Sequence, residues 1–300
     1  MLKDIKKVLD RIVLFRSVLN GFSQIFLIEN SLSGLLIILG LFINNWKIAV
    51  IAVIADICGI TTAKALKYNE SQIQSGIYGF SAILVAVALS SFFNITLLLF
   101  MIILIGASLA SILQHFFLKK AIPAFTFPFI IVTWVLYYLI TIYYSFVVKP
   151  PTFIDNSVAF DFFRSTILAY GEVIFQNTLI ASILFILAIL IDKPKAFLYT
   201  FISSILLTSI VLILSYPHYL INEGIYGNEG IYGFNAILTV MAIYNNNNKN
   251  LIWTAIGIII TLLTQIILLQ YNVFTAFGGV LTFPFVLTTW LILFLQKRIR

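Results

Sequence analysis

The chain has 300 residues, of which 61% are hydrophobic and 10% charged, with a mean hydropathy of +1.08 and a formal net charge of +7. Soluble domains carry roughly 25% charged residues, so this composition excludes a water-soluble globular protein and indicates a polytopic membrane protein. Its lone cysteine, Cys58, excludes an intrachain disulfide framework and a cysteine-based metal cluster.

The opening stretch MLKDIKKVLDRIVLFR sets apolar residues at helical spacing against a basic face. Residues 1–20 are therefore predicted to form a cytoplasmic amphipathic helix on the membrane surface. No small-residue cleavage site follows a short apolar core, so the stretch does not read as a signal peptide. Ten apolar segments follow, at 21–44, 46–65, 76–93, 95–117, 123–148, 165–191, 196–217, 230–245, 249–270 and 276–296. A span needs about 20 mostly apolar residues. Lipid supplies no hydrogen-bond partner to the backbone, so the segments are predicted to be helices. A run such as SGLLIILGLFI also lacks the alternation of a barrel strand.

With the N-terminus cytoplasmic and ten alternate crossings, the inside holds Lys3, Lys6, Lys7, Arg11, Arg16, Lys64, Lys67, Lys119, Lys120, Lys193, Lys195, Lys249, Lys297, Arg298 and Arg300. The outside holds Lys47, Lys149 and Arg164. This asymmetry supports both the count and an orientation with both termini cytoplasmic. The positive charge is thus a matter of topology and does not point to nucleic acid; membrane lipid is the acidic partner it suggests. The run NNNNKN at 245–250 reads as a polar cytoplasmic loop.

Three phrases recur in order. SGIYGFSAIL at 75–84 matches EGIYGFNAIL at 229–238, AFTFPFIIVTW at 124–134 matches VLTFPFVLTTW at 280–290, and SQIFLIEN at 23–30 loosely matches GEVIFQN at 171–177. Each half contains five predicted crossings, an odd number, so the second half enters from the opposite side. The predicted fold is therefore all-α integral membrane, with transmembrane repeat 1 at 21–148, an external linker at 149–164, an inverted repeat 2 at 165–296 and a cytoplasmic tail at 297–300. Such halves place a translocation site at their interface. The extra copy EGIYGN at 223–228 reads as a duplication that lengthens an external loop.

The phrase Gly76-Ile77-Tyr78-Gly79 reads as a helix start or re-entrant turn rather than a direct role for the tyrosine. Pro128 and Pro284 cannot donate to a helical ladder, and Thr126 and Thr282 add an oxygen beside each predicted break. One such site is equally well a packed kink; two at equivalent places in inverted halves favour a shared pore. Charged residues predicted inside spans are Glu29, Asp56 and Glu172. Glu172 matches Gln24 and is read as pore-lining with it. Asp56 reads as a structural hydrogen-bonding group, and Glu29 as part of a helix cap with Asn30 and Ser31.

Taken together, SQIFLIENSLSGLLIILGLFI, GIYGFSAIL, IPAFTFPF, GEVIFQN, GIYGFNAIL and LTFPF resemble the urea transporter family, over essentially the whole chain. The resemblance implies ten crossing helices plus a short re-entrant helix per repeat around a central pore, a homotrimer in the plasma membrane, and passive, channel-like passage of urea. By position it implies Gln24 and Glu172 at the two ends of the filter and Phe175 as an aromatic slot wall. Leu27 falls where the first slot has phenylalanine, with Phe26 one position earlier. Leu84, Leu238 and Val173 fall on apolar walls, and Thr126 and Thr282 on the central oxygens. Further departures are Ser81 opposite Asn235, Ser182 in place of a glycine, and Gly279 opposite Pro123.

A flat neutral solute rich in N–H donors suits a narrow slot with a line of acceptors. It needs no metal, ion or nucleotide, and no phosphate-binding motif is present. The alternative on the same scaffold is a channel for ammonia or a short amide. Ammonium conduction would want paired histidines, and His115 and His218 do not align as repeats. An enzyme is not expected, because no nucleophile–base pair or metal cluster is legible at membrane depth.

Overall fold

A computed structural model describes residues 13–144, 161–215, 230–244 and 248–299. Most of the predicted surface helix (1–12), most of the external linker, His218, the extra copy at 223–228 and the middle of the asparagine-rich loop lie outside the described residues. Among the described residues, regular structure is helical. In chain order it comprises α1 (Val13–Gln24), α2 (Ser31–Ala65), α3 (Glu70–Gln74), α4 (Phe80–Phe92), α5 (Leu97–Lys119) and α6 (Phe127–Tyr143). There follow α7 (Phe162–Glu172), α8 (Leu179–Asp192), α9 (Pro194–Ser215), α10 (Phe234–Ile243), α11 (Asn248–Gln270), a 3-10 turn (Thr275–Phe277) and α12 (Phe283–Ile299).

Among the described residues, four helices are long and apolar enough to cross a membrane: Ser31–Ala65, Leu97–Lys119, Pro194–Ile213 and Asn250–Gln270. α2 holds two of the predicted segments end to end, divided at Asn45, whose φ of −154° and ψ of 100° are not helical. Polar side chains set several starts. Asn30 accepts from Leu32 N at 3.0 Å, Thr96 from Leu99 N at 3.1 Å and Asp161 from Arg164 N at 3.0 Å, each taking up an orphan donor of a first turn.

The segments at 21–44 and 165–191 are not continuous helices. Each is cut after a short helix, α1 or α7, by a break at 25–30 or 173–178. Both helices end in the same hydrogen-bond pattern. Leu27 N bonds the Gln24 carbonyl and Ile28 N the Ser23 carbonyl; Phe175 N bonds the Glu172 carbonyl and Gln176 N the Gly171 carbonyl. This is the Schellman cap, and its left-handed position is filled by Leu27 and Phe175, both at φ 57°, instead of glycine. α1 also departs from the surface expected of residues 1–20, since it is buried from Ser17 to Ser23.

The proline phrases start helices and do not kink them. Pro128 and Pro284 are the second residues of α6 and α12, where the missing N–H would have had no helical partner anyway. The turn occurs before them, at Phe125 (φ 46°) and its counterpart Leu281 (φ 49°).

The element order short helix, break, helix, long helix, short buried helix, long helix, terminal helix therefore occurs twice. α4 and α10 lie in the core, buried on every side at Phe80–Ser90 and at Phe234–Met241. The long helices invert the soluble pattern and turn apolar stripes outward: Met101, Ile105, Leu109, Ile112 and Phe116 on α5, and Ile252, Ile256, Ile259, Leu263 and Ile267 on α11. Such faces mark contact with a membrane or with another protein surface.

The repeated Gly-Ile-Tyr-Gly phrase has a packing cause. Gly76 at φ 80° lies so close to α1 that a Cβ would be 2.3 Å from Asn20 C and Gly21 N. Gly230 at φ 76° makes the equivalent approach to α7, with 2.2 Å to Ala169 N. Each half thus presses its short broken helix against this turn. Gly279, at φ 93°, offers a control, because a Cβ there would meet nothing within 4 Å. Gly279→Ala is expected to cost about 1–2 kcal/mol of left-handed strain alone. Gly76→Ala adds a backbone clash and should lower the thermal midpoint in detergent distinctly further; equal midpoints would contradict the close-approach account.

Candidate functional site

The two halves meet through contacts that come in exchanged pairs. Trp134 Nε1 donates to the Gly279 carbonyl at 2.9 Å, and Trp290 Nε1 donates to the Pro123 carbonyl at 2.7 Å. Phe127 packs on Trp290 with centroids 4.8 Å apart, and Phe283 on Trp134 at 5.5 Å. Each of these contacts has a counterpart made by the matching residues of the other half. Pro123 opposite Gly279 is therefore a tolerated exchange, because only the carbonyl is used.

At the centre of this arrangement lie Thr126 and Thr282, buried at the starts of α6 and α12, with their hydroxyl oxygens 2.6 Å apart. The sequence places these threonines 156 residues apart, and the fold makes them partners. Leu84 on α4 and Leu238 on α10 are buried to the same degree, 1% exposed each.

The helix pair α2 and α8 sets the other two parts of the site. Asn30, at the start of α2, donates to Asp192 Oδ1 at the end of α8 over 2.7 Å. Asn44, where the first part of α2 ends, donates to Gln176 Oε1 just before α8 over 2.6 Å. The helices are antiparallel, so the Leu27 break lies at one end of the pair and the Phe175 break at the other. Leu27 and Phe175 are half-buried in otherwise buried stretches, as are Gln24 and Glu172, while Val173 is buried. Gln24 is oriented by a 2.9 Å bond from its Nε2 to the Ser75 carbonyl.

The two ends differ in chemistry. Phe175 stands among aromatic rings, 5.7 Å from Phe92 and 6.3 Å from Phe129. Phe26 does not supply the ring that Leu27 lacks: it is fully buried and turned to Phe185 on α8 at 6.0 Å. Glu29 forms an ion pair with Arg16 at 3.7 Å. Asp56 is buried between two glycines of the first half; a Cβ at Gly79 would lie 1.8 Å from its Oδ1 and one at Gly21 2.7 Å away. Neither of its carboxyl oxygens has a hydrogen-bond partner among the described residues, so it acts as a wedge and not as the hydrogen-bonding group expected of it.

The sequence marked Asn235 only as a departure from Ser81, and gave no role to it or to Gln265. Asn235 donates to Gln265 Oε1 at 2.5 Å and to the Leu281 carbonyl at 3.2 Å, and accepts from Phe285 N at 3.3 Å. It thereby ties α10 to α11 and holds the turn that presents Thr282. Ser81, its counterpart, is too short for this, and its Oγ and Gln114 Oε1 stay unpartnered among the described residues. The pairing of an amide on α10 with one on α11 was the available signal. The Ser182 departure is offset within the same half: Gly171, matching Ser23, leaves room where a Cβ would lie 2.4 Å from Ser182 Oγ.

Helices that turn apolar stripes outward around a buried polar centre are those of a polytopic integral membrane protein. The sequence profile of the urea transporter family matches residues 15–297, and the chain belongs to that family. Urea transporter 1 of Capra hircus is 28% identical over 315 aligned positions covering 94% of this chain and 77% of the relative. The Ovis aries protein of the same name is 27% identical over the same shares, and that of Rattus norvegicus 27% over 75% of this chain and 62% of its own.

The central threonine pair makes a stability prediction. Thr126→Val alone strands the buried Thr282 hydroxyl and is expected to cost about 1–3 kcal/mol, whereas changing both threonines to valine should be nearly neutral. A double-mutant cycle on thermal midpoints checks it; additive losses would mean that the hydroxyls do not depend on one another.

Proposed function

We propose that the protein passes urea down its gradient, as a channel, through a slot-shaped filter between two inverted repeats of five crossings each. The observation that carries this reading is the buried pairing of the Thr126 and Thr282 hydroxyls between the halves. Each oxygen uses the other while no solute lies between them. A flat molecule rich in N–H donors can replace that bond with two of its own, so dehydration is repaid at the narrowest point.

Leu84, Leu238 and Val173 form flat apolar walls, Gln24 and Glu172 mark the two ends of the filter, and Leu27 and Phe175 wall its two slots. The aromatic slot at Phe175 selects a planar solute; the Leu27 slot is aliphatic. A neutral solute moving downhill needs no coupling ion and no cofactor. The inward lysine bias supports an orientation with both termini cytoplasmic, and the family resemblance supports a homotrimer surrounded by lipid in the plasma membrane.

The reading is tested by stopped-flow light scattering on proteoliposomes, with urea, acetamide, ammonia and water as permeants. Fast urea flux without an ion gradient is expected. Dependence on sodium or a proton gradient overturns the channel, and passage of acetamide or ammonia without urea overturns the substrate. Thr126→Val combined with Thr282→Val should cut urea flux about tenfold or more while leaving the protein folded. Glu172→Gln makes that end of the filter match Gln24 and should keep the pore open to urea.

A further inference from the structure

The two-fold correspondence fails at one charged position beside the filter. Lys193, at the junction of α8 and α9, extends its ammonium across to the first half and donates to the Leu27 carbonyl at 2.7 Å. Its counterpart by the register that pairs Leu27 with Phe175 is Asn45, whose Oδ1 instead accepts from Lys47 N and Ile48 N. Lys47 lies over the Trp46 ring, 5.9 Å from its centroid. Among the described residues, an ammonium bonds the backbone at the Leu27 break and none is seen to do so at the Phe175 break.

The electrostatics at Leu27 give this bond a purpose. The C-terminus of α1 ends there, and its last carbonyls carry partial negative charge. A constriction lined with carbonyl oxygens attracts cations, and guanidinium has nearly the planar shape of urea. Of the neighbouring carboxylates, Asp192 accepts from Asn30 at 2.7 Å, and Glu29 faces Arg16 at 3.7 Å. Lys193 also lines a cavity of about 350 Å³ with Pro194, Lys195, Ala196, Met241 and Tyr244, so a second lysine faces the same space.

Building on the urea-channel reading, we infer that Lys193 is a specificity residue of that pore, an electrostatic barrier at its cytoplasmic end that rejects guanidinium and other small cations while neutral urea passes. Burial lowers the pKa of its ammonium, against the opposing pull of the Asp192 carboxylate. The barrier is consequently lost, as pH rises, before an ordinary lysine would deprotonate.

The test measures urea and guanidinium uptake by the same proteoliposomes, with the intact chain. Wild type should carry urea and exclude guanidinium. Lys193→Gln should raise the guanidinium-to-urea ratio about tenfold or more, whereas Lys193→Arg should leave the ratio as in wild type. A structural role alone would lower both fluxes and leave their ratio unchanged. An unchanged ratio in a urea-conducting Lys193→Gln protein overturns the inference. Should that variant carry no urea, the wild-type ratio is followed with rising pH: an increase supports the barrier and a flat ratio overturns it. Wild type that carries no urea overturns the channel reading and the inference with it, before any substitution is made.

Discussion

Lipid offers no hydrogen bonds, so a helix that breaks inside a membrane protein must find partners for its freed backbone groups within the protein. This chain breaks equivalent helices in both halves, at 25–30 and 173–178, and the solution has two layers. Locally, the Schellman pattern closes the ends of α1 and α7. At the second pair of turns, ahead of the proline-started helices α6 and α12, Trp134 and Trp290 each donate to a carbonyl of the other half. The site depends on these satisfied breaks, because they hold Leu27, Phe175, Thr126 and Thr282 where a continuous helix could not.

Keeping those breaks rigid carries a conformational cost. Leu27, Phe175, Phe125 and Leu281 occupy the left-handed region without being glycine. Strain of this kind, of order 1–3 kcal/mol per residue, persists only where packing over-determines the backbone. Here the packing is the close approach of Gly76 to α1 and of Gly230 to α7, repeated once per half. The glycine-tyrosine phrase serves as a seat for the broken helix, and Tyr78 itself is turned away to Gln72 and His115.

Within this two-fold frame the departures are informative. Ser81 against Asn235 leaves one threonine-bearing turn without the amide brace that the other has. Leu27 against Phe175 gives one aliphatic and one aromatic end. Lys193 against Asn45 gives one end a charge.

The amino-acid sequence alone determined that the chain lies in a membrane, that it is helical, that it repeats in two halves, and which residues occupy matching positions. Those properties follow from apolar run length, lysine placement and literal recurrence, all of which are local or additive along the chain. Helix ends were legible only where a capping side chain or proline marks them: Asn30 and Ser31 marked a helix start inside 21–44, whereas Leu27 and Phe175 carry no stop signal and 165–191 read as an unbroken span. Whether Phe26 stands in for the ring that Leu27 lacks was not legible, because it is the fold that packs Phe26 against Phe185. Tertiary structure alone brought Thr126 to Thr282, Asn235 to Gln265 and Lys193 to Leu27. Each of those pairs joins residues far apart in sequence, and only the packing of one half against itself or the other brings their polar atoms within bonding distance.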